Sequence, residues 1–394
     1  MDTLLWLLLP VAAASGWLAA RRSVRPAEGS PNRRETDPAY FKGLNYLLNE
    51  EPDKAIDVFV QLLEVDGETV ETHLALGSLF RRRGEVERAI RIHQNLIARP
   101  ALTREQRAGA LLELGIDYMR AGLFDRAENL FKELRDNKLH LKPALRNLRV
   151  IYEQERDWEA CLAVTEEMQP LASEPLGPDR AHYYCELARE ALDRRQPLQA
   201  ESFLDKALLT DQQCTRAMHM QGAMAAERGD HREAVRCFMR AADADPDYLP
   251  ELLPDIVEAH MRGGRVGELR AYLEQRMQRQ PTAALELVLA DLVREHEGDA
   301  AAVKYLSERL RSAPSLKGLL QLVELNAKVP ESRTPEVMAA LGEHLRRLLH
   351  QRLQYQCTKC GFAAKVLHWH CPSCRSWGTL KRRPEVEACI HVNP

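Results

Sequence analysis

Leu74-Ala-Leu-Gly77-Ser-Leu-Phe80-Arg-Arg-Arg-Gly84-Glu-Val-Glu-Arg-Ala89-Ile-Arg-Ile-His93-Gln94 decides the fold. A glycine, Gly77, is followed three residues on by Phe80, twelve on by Ala89 and sixteen on by His93, with Arg83-Gly84-Glu85 as a break between. The same spacing occurs upstream at Gly43, Tyr46, Ala55 and Phe59, and downstream at Gly115, Tyr118, Ala127 and Phe131. Gly43 and Gly77 lie 34 residues apart, and a fixed period of that size is the mark of a repeat array. Further copies follow at Ala188, Ala200, Leu204 and Ala207, then at Gly222, Ala234, Phe238, Ala241 and Pro246. Weaker ones fall at Ile256, Glu268 and Tyr272 and at Ala290, Ala302, Leu306 and Pro314, while Leu148, Ala160 and Val164 form a degenerate unit.

Each unit reads as two antiparallel helices. The small residues let the pair approach closely, and the larger ones fill the groove between neighbouring pairs. Ala121-Gly122-Leu123, Arg228-Gly229-Asp230 and Glu297-Gly298-Asp299 sit where a first helix must stop. In period, small residues and turns the array resembles the tetratricopeptide repeat family. The resemblance implies a right-handed superhelix whose concave face binds peptides or whole proteins, with about eight units over residues 38–315.

Composition agrees with helices and with binding. Aromatics are 6% of the 394 residues, and 55 basic against 58 acidic residues leave a net charge of -3. That balance argues against whole-chain attraction to nucleic acid. No phosphate loop, His-Glu-x-x-His, nucleophile elbow or catalytic carboxylate pair occurs, so the chain reads as a non-enzyme. Cys161, Cys185, Cys214 and Cys237 read as small buried helix residues, and His93 as a packed occupant of an aromatic position. The basic run Lys132, Arg135, Lys138, His140, Lys142, Arg146 and Arg149 reads as a solvated face. The stretch 170–179, with Pro170, Pro175, Gly177 and Pro178, reads as a place where the array bends.

At the start, Leu4 to Ala20 is an uncharged apolar run that ends at Arg21 and Arg22, just long enough to span a bilayer. A cleaved signal wants positive charge before its apolar core, whereas here Asp2 precedes it and Arg21, Arg22, Arg25, Arg33 and Arg34 follow. The run therefore reads as a retained transmembrane anchor with the body in the cytoplasm.

At the other end, Cys357-Thr-Lys-Cys360 and Cys371-Pro-Ser-Cys374 put two Cys-x-x-Cys knuckles ten residues apart. Four thiolates at this spacing can close a tetrahedron around one metal ion and leave no open position for a substrate. The candidate metal ligands are Cys357, Cys360, Cys371 and Cys374. Two small hairpins are expected, with Phe362, Trp369 and Trp377 as their apolar material. The motifs resemble rubredoxin, which implies iron, while zinc suits the same geometry. The sequence departs from rubredoxin in its short spacing and in Arg375, where rubredoxin has glycine. His368 and His370 read as surface groups or as neighbours of the ligands.

Between His344 and Arg383 nine Lys and Arg residues meet no Asp or Glu. Three readings compete for this basic end: docking onto an acidic surface of its own repeats, attraction to the anionic leaflet or a membrane partner, and nucleic-acid binding as in basic zinc ribbons. The first ranks highest.

Anchor, repeats and four-cysteine end together resemble the lipopolysaccharide assembly protein B family of Gram-negative bacteria over essentially the whole chain. The expected fold is an all-α tetratricopeptide-repeat superhelical solenoid with an N-terminal transmembrane helix and a small C-terminal rubredoxin-like four-cysteine metal domain. Expected bounds are 1–20 for the anchor, 21–37 for a linker, 38–315 for the repeats, 316–353 for C-terminal helices and 354–394 for the metal domain. The resemblance implies an inner-membrane adaptor and regulator of lipopolysaccharide biosynthesis. Its implied partners are a membrane-anchored AAA protease, the deacetylase that commits carbon to lipid A, which that protease degrades, and an inner-membrane regulator. No nucleic-acid partner is expected, and a homodimer is allowed. The competing readings are an iron-dependent redox or metal-sensing scaffold and a nucleic-acid-binding repeat protein.

Overall fold

The computed structural model describes residues 70–173, 175–312, 314–327 and 335–383, with shorter stretches between 41 and 59. The expected anchor at 1–20 and the linker lie outside these residues. Among the described residues no helix is long and apolar enough to cross a membrane. The chain divides between His140 and Leu141 into two compact units.

In the first unit, α1 (Val70–Arg82), α2 (Val86–Ile97), α3 (Arg104–Arg120) and α4 (Phe124–Asp136) follow helical residues 54–59. The repeat spacing has a steric cause. A Cβ added to Gly77 would lie 2.4 Å from His93, and one on Gly115 would lie 2.6 Å from Phe131, so the first helix must be bare where the second inserts its ring. The chain turns between α1 and α2 at Gly84, whose φ of 86° suits glycine alone among common residues. His93 is fully buried as expected, and its surroundings explain why a polar ring is tolerated. His93 Nδ1 lies 2.5 Å from Asp117 Oδ2, and Arg81 bonds Asp117 and Glu113, each at 2.6 Å. A buried carboxylate with both oxygens partnered ties α1, α2 and α3 together.

The second unit begins with α5 (Leu141–Glu155), α6 (Trp158–Met168), α7 (Gly177–Asp193) and α8 (Pro197–Thr210). It continues with α9 (Thr215–Glu227), α10 (His231–Ala244), α11 (Leu249–Arg262) and α12 (Val266–Arg279). Then come α13 (Ala283–Glu297), α14 (Asp299–Ser312), α15 (Leu316–Ala327) and α16 (Pro335–Gln351). The template alanines Ala200, Ala234 and Ala302 are all fully buried. In the degenerate unit the buried position moves one residue on, to Cys161 instead of Ala160, and in one of the weaker copies it moves to Leu269 instead of Glu268. Arg149 departs from the solvated-face expectation, because its guanidinium bonds Asp179 at 2.9 Å.

The chain is not purely α. After α16 come β1 (Tyr355–Cys357), β2 (Ala363–Ala364) and β3 (Leu380–Arg382), which form an antiparallel sheet in the order β2-β1-β3. The register pairs Tyr355 with Ala364 and with Arg382.

Candidate metal centre

β1 delivers Cys357 into the first knuckle. Its amide donates to the Phe362 carbonyl at 2.8 Å, and its carbonyl accepts from Gly361, whose φ of 78° lets the chain reverse there. The second knuckle repeats the arrangement, with Cys371 N donating to Ser376 O and Arg375 N donating to Cys371 O. Arg375 adopts φ 56°, in the same left-handed region as Gly361 of the first knuckle, so the second knuckle turns without a glycine at this position. An isolated bridge between His370 and Trp377 closes this second hairpin.

The four sulfurs converge. All four Sγ atoms lie within 4.8 Å of one another, with Cys357 to Cys374 at 3.6 Å and Cys360 to Cys371 at 3.7 Å. Disulfide sulfurs would sit about 2.05 Å apart, whereas sulfurs about 2.3 Å from a central ion in a tetrahedron are about 3.8 Å apart. The observed spacings fit the second geometry. Desolvation alone would raise the Cys357 thiol, but the Thr379 hydroxyl and the amides of Cys360 and Lys359 outweigh it and bring it down to about 6. Cys374 is also lowered, first by the Ser376 hydroxyl, while burial pushes Cys371 up to about 11. Amides and hydroxyls facing sulfur favour thiolate, the form that ligates.

The tryptophans do not fill the knob. Its interior is Tyr355, Cys357, Ala364, Cys371 and Leu380, with Phe362 packed against them. Trp369 and Trp377 instead face the repeats of the second unit. Trp377 meets Trp158 and Tyr183 edge-on at 6.0 and 5.8 Å and stacks on His182. Trp369 lies 4.9 Å from Tyr248 and beneath the guanidinium of Arg216, at 5.6 Å. Gly378 permits this approach, since a Cβ there would come 3.3 Å from His182 Nε2.

Charge follows the same path. Lys381 bonds Asp245, Arg382 reaches Glu251 at 3.6 Å, and Glu153 accepts from Tyr183 at 2.5 Å and from the Trp377 indole at 3.5 Å. With its amide oxygen turned to the guanidinium, Gln154 accepts from Arg375 at 3.1 Å. Docking onto the chain's own repeats is therefore the arrangement the structure shows for the basic end. His370 stacks on Trp377 at 4.4 Å and meets the Arg375 carbonyl at 3.0 Å through Nε2, beside the ligands rather than among them.

The receptor residues Glu153, His182, Tyr183, Arg216, Asp245 and Glu251 stayed hidden in the sequence because they occupy positions outside the repeat template. The one signal was the uncompensated charge of the knob, which demanded carboxylates somewhere. A sequence pair the reading left apart is Cys185 and Cys214, whose buried sulfurs lie 3.9 Å from each other.

Residues 355–382 match the rubredoxin metal binding domain family, and residues 72–108 and 185–248 match tetratricopeptide repeat families. The chain is 37% identical to the lipopolysaccharide assembly protein B of Escherichia coli strain K12 over 383 residues, which cover 97% of this chain and 98% of that protein. It is 33% identical to the Haemophilus influenzae protein of the same name over 392 residues, with 97% and 98% covered.

Proposed function

Because the chain belongs to the lipopolysaccharide assembly protein B family, we propose that it is a non-enzymatic adaptor in lipopolysaccharide assembly, held at the inner membrane by residues 1–20 with its body in the cytoplasm. Repeats at 38–315, helices at 316–353 and the metal domain at 354–394 form its working parts. The carrying observation is the docked knob, where aromatic and ionic contacts fix the four-cysteine end against the repeats of the second unit so that both contribute to one binding surface.

Cys357, Cys360, Cys371 and Cys374 hold one metal ion, iron or zinc, whose work is to shape the knob. Four thiolates saturate a tetrahedral ion, so the site suits structure better than Lewis-acid chemistry. In this reading the adaptor brings the deacetylase that commits carbon to lipid A to a membrane-anchored AAA protease, and it answers to an inner-membrane regulator.

The test uses a Gram-negative host lacking its own family member. Expressing the full chain should shorten the half-life of the deacetylase in a pulse-chase, and both enzyme and protease should co-purify with the chain from membranes. A version lacking residues 1–20 should restore neither. An unchanged deacetylase half-life with the full chain refutes the proteolytic part, and full activity of the truncated chain refutes tethering.

A further inference from the structure

Cys185 of α7 and Cys214, the residue from which α9 starts, hold their sulfurs 3.9 Å apart inside the second unit. Both are buried, among Ala181, Ala188, Ala200 and Ala217. Among the described residues no other thiols outside the metal knuckles meet in this way. Disulfide sulfurs sit about 2.05 Å apart, so the pair must close by about 1.9 Å, shared between two side chains that each turn about one bond.

The two thiols are chemically unlike. Cys214 lies at the positive end of the α9 dipole, which favours thiolate. It is lowered below the ordinary thiol range, first by the hydrogen bond from Cys185 and against the effect of burial. Cys185 is raised well above that range by burial first and then by the same bond, so it keeps the proton. Cys161 and Cys237, the other thiols buried in these repeats, are both raised, by burial first.

The pair stands where the knob is held. Glu186, next to Cys185, bonds Arg216, two residues after Cys214, at 2.9 Å, and so makes a second tie between α7 and α9. Arg216 lies over Trp369, and His182, one turn before Cys185, stacks on Trp377. A covalent bond between the sulfurs would therefore fix the two helices that carry both tryptophans of the knob.

We propose that Cys185 and Cys214 form a redox site, converted by a hydroperoxide to a disulfide that clamps α7 to α9 at the seat of the knob. The Cys214 thiolate attacks the peroxide, the O–O bond breaks, and the hydroxide that leaves takes a proton to become water. The product is a sulfenic acid on Cys214. Cys185 then attacks that sulfur, the S–O bond breaks, and the second hydroxide leaves as water with the Cys185 proton. Two thiols and one hydrogen peroxide thus give one disulfide and two waters, and a small thiol reverses the change by exchange. This pairing stands apart from the lipopolysaccharide reading, because it rests on α7 and α9 alone.

The test treats the full metal-loaded chain in detergent with about one equivalent of hydrogen peroxide, denatures it with N-ethylmaleimide present, and digests it with trypsin without reductant. Mass spectrometry should find residues 181–189 joined to residues 207–216, two hydrogens lighter than the separate peptides and parted by dithiothreitol, while Cys161 and Cys237 carry the maleimide. Cys185→Ala should leave a sulfenic acid on Cys214 that dimedone traps, whereas Cys214→Ala should leave Cys185 a free thiol. In the oxidised chain, amide exchange at α7 and the first turn of α9 should slow by about tenfold or more, because a cross-link restricts opening. Absence of the joined peptides overturns the redox site, and so does dimedone on Cys185 in place of Cys214. Joined peptides with unchanged exchange at α7 and α9 overturn the clamp.

Discussion

Trp377 of the four-cysteine knob stacks on His182 of α7, with ring centroids 5.1 Å apart and planes 19° from parallel. The pair joins a metal-site hairpin to a repeat helix nearly two hundred positions away in sequence. Trp377 is 8% exposed and touches Trp158, Tyr183 and His370 as well.

Trp377→Ala should free the knob from the repeats while leaving both folded, since the ring belongs to the interface rather than to the knob interior. Removing so large a buried ring costs about 3–5 kcal/mol at a packed site. Amide hydrogen exchange should accelerate at residues in the 355–383 sheet and on the facing turns of α7, with helical circular dichroism unchanged. Protection equal to that of the parent protein would show that the ionic contacts suffice.

Cys357→Ser combined with Cys360→Ser should reduce bound metal, by elemental analysis, from one ion per chain to none. Metal binding on the order of 10 kcal/mol is much of the folding free energy of a unit this small. The sheet should therefore lose its protection while α5 to α14 keep theirs. Metal content that stays at one per chain rejects the four-cysteine assignment.

His182 gives the docked state a pH dependence. Burial first, then the charges of Arg216 and His370, lower its pKa from the ordinary 6.5 to about 3. Docked, it is neutral; released, it takes a proton below pH 6.5. Its contribution is thus fully present above 6.5 and is lost as pH falls toward 3, by up to about 1.4 kcal/mol per pH unit. Urea midpoints measured at pH 7.5, 6.0 and 5.0 should fall, and His182→Gln should flatten that slope. Equal slopes for parent and variant would assign the effect to other groups.

Gly222→Ala tests the reason for the repeat spacing. The new methyl would lie 2.4 Å from Phe238, a ring that is 1% exposed, so α9 and α10 must separate. Thermal unfolding should show a loss of about 1–3 kcal/mol from overpacking. Adding Phe238→Leu, which clears the space, should recover part of it. A double variant no more stable than Gly222→Ala would place the strain elsewhere.

How much could be read without coordinates varies along the chain. Gly77 and Ala89 announce a helix pair because the contact they make is local, set by helix geometry alone. Ala160 and Glu268 misled by one position, since in degenerate units the neighbours choose which residue is buried, and Cys161 and Leu269 won. Trp369 and Trp377 were legible as apolar material but not as interface, because the knob has its own smaller core in Tyr355, Ala364 and Leu380.

Sequence by itself determined the repeat period, the turns and the four sulfurs, because each follows from spacings shorter than one repeat. It also required that the basic end find carboxylates, because nine positive charges without a counterpart are a physical imbalance whatever the fold. Only the tertiary structure decided which carboxylates they are. Glu153, Asp245 and Glu251 lie on separate turns of α5 through α11, and it is the stacking of those helices that gathers them beneath Trp377, Lys381 and Arg382.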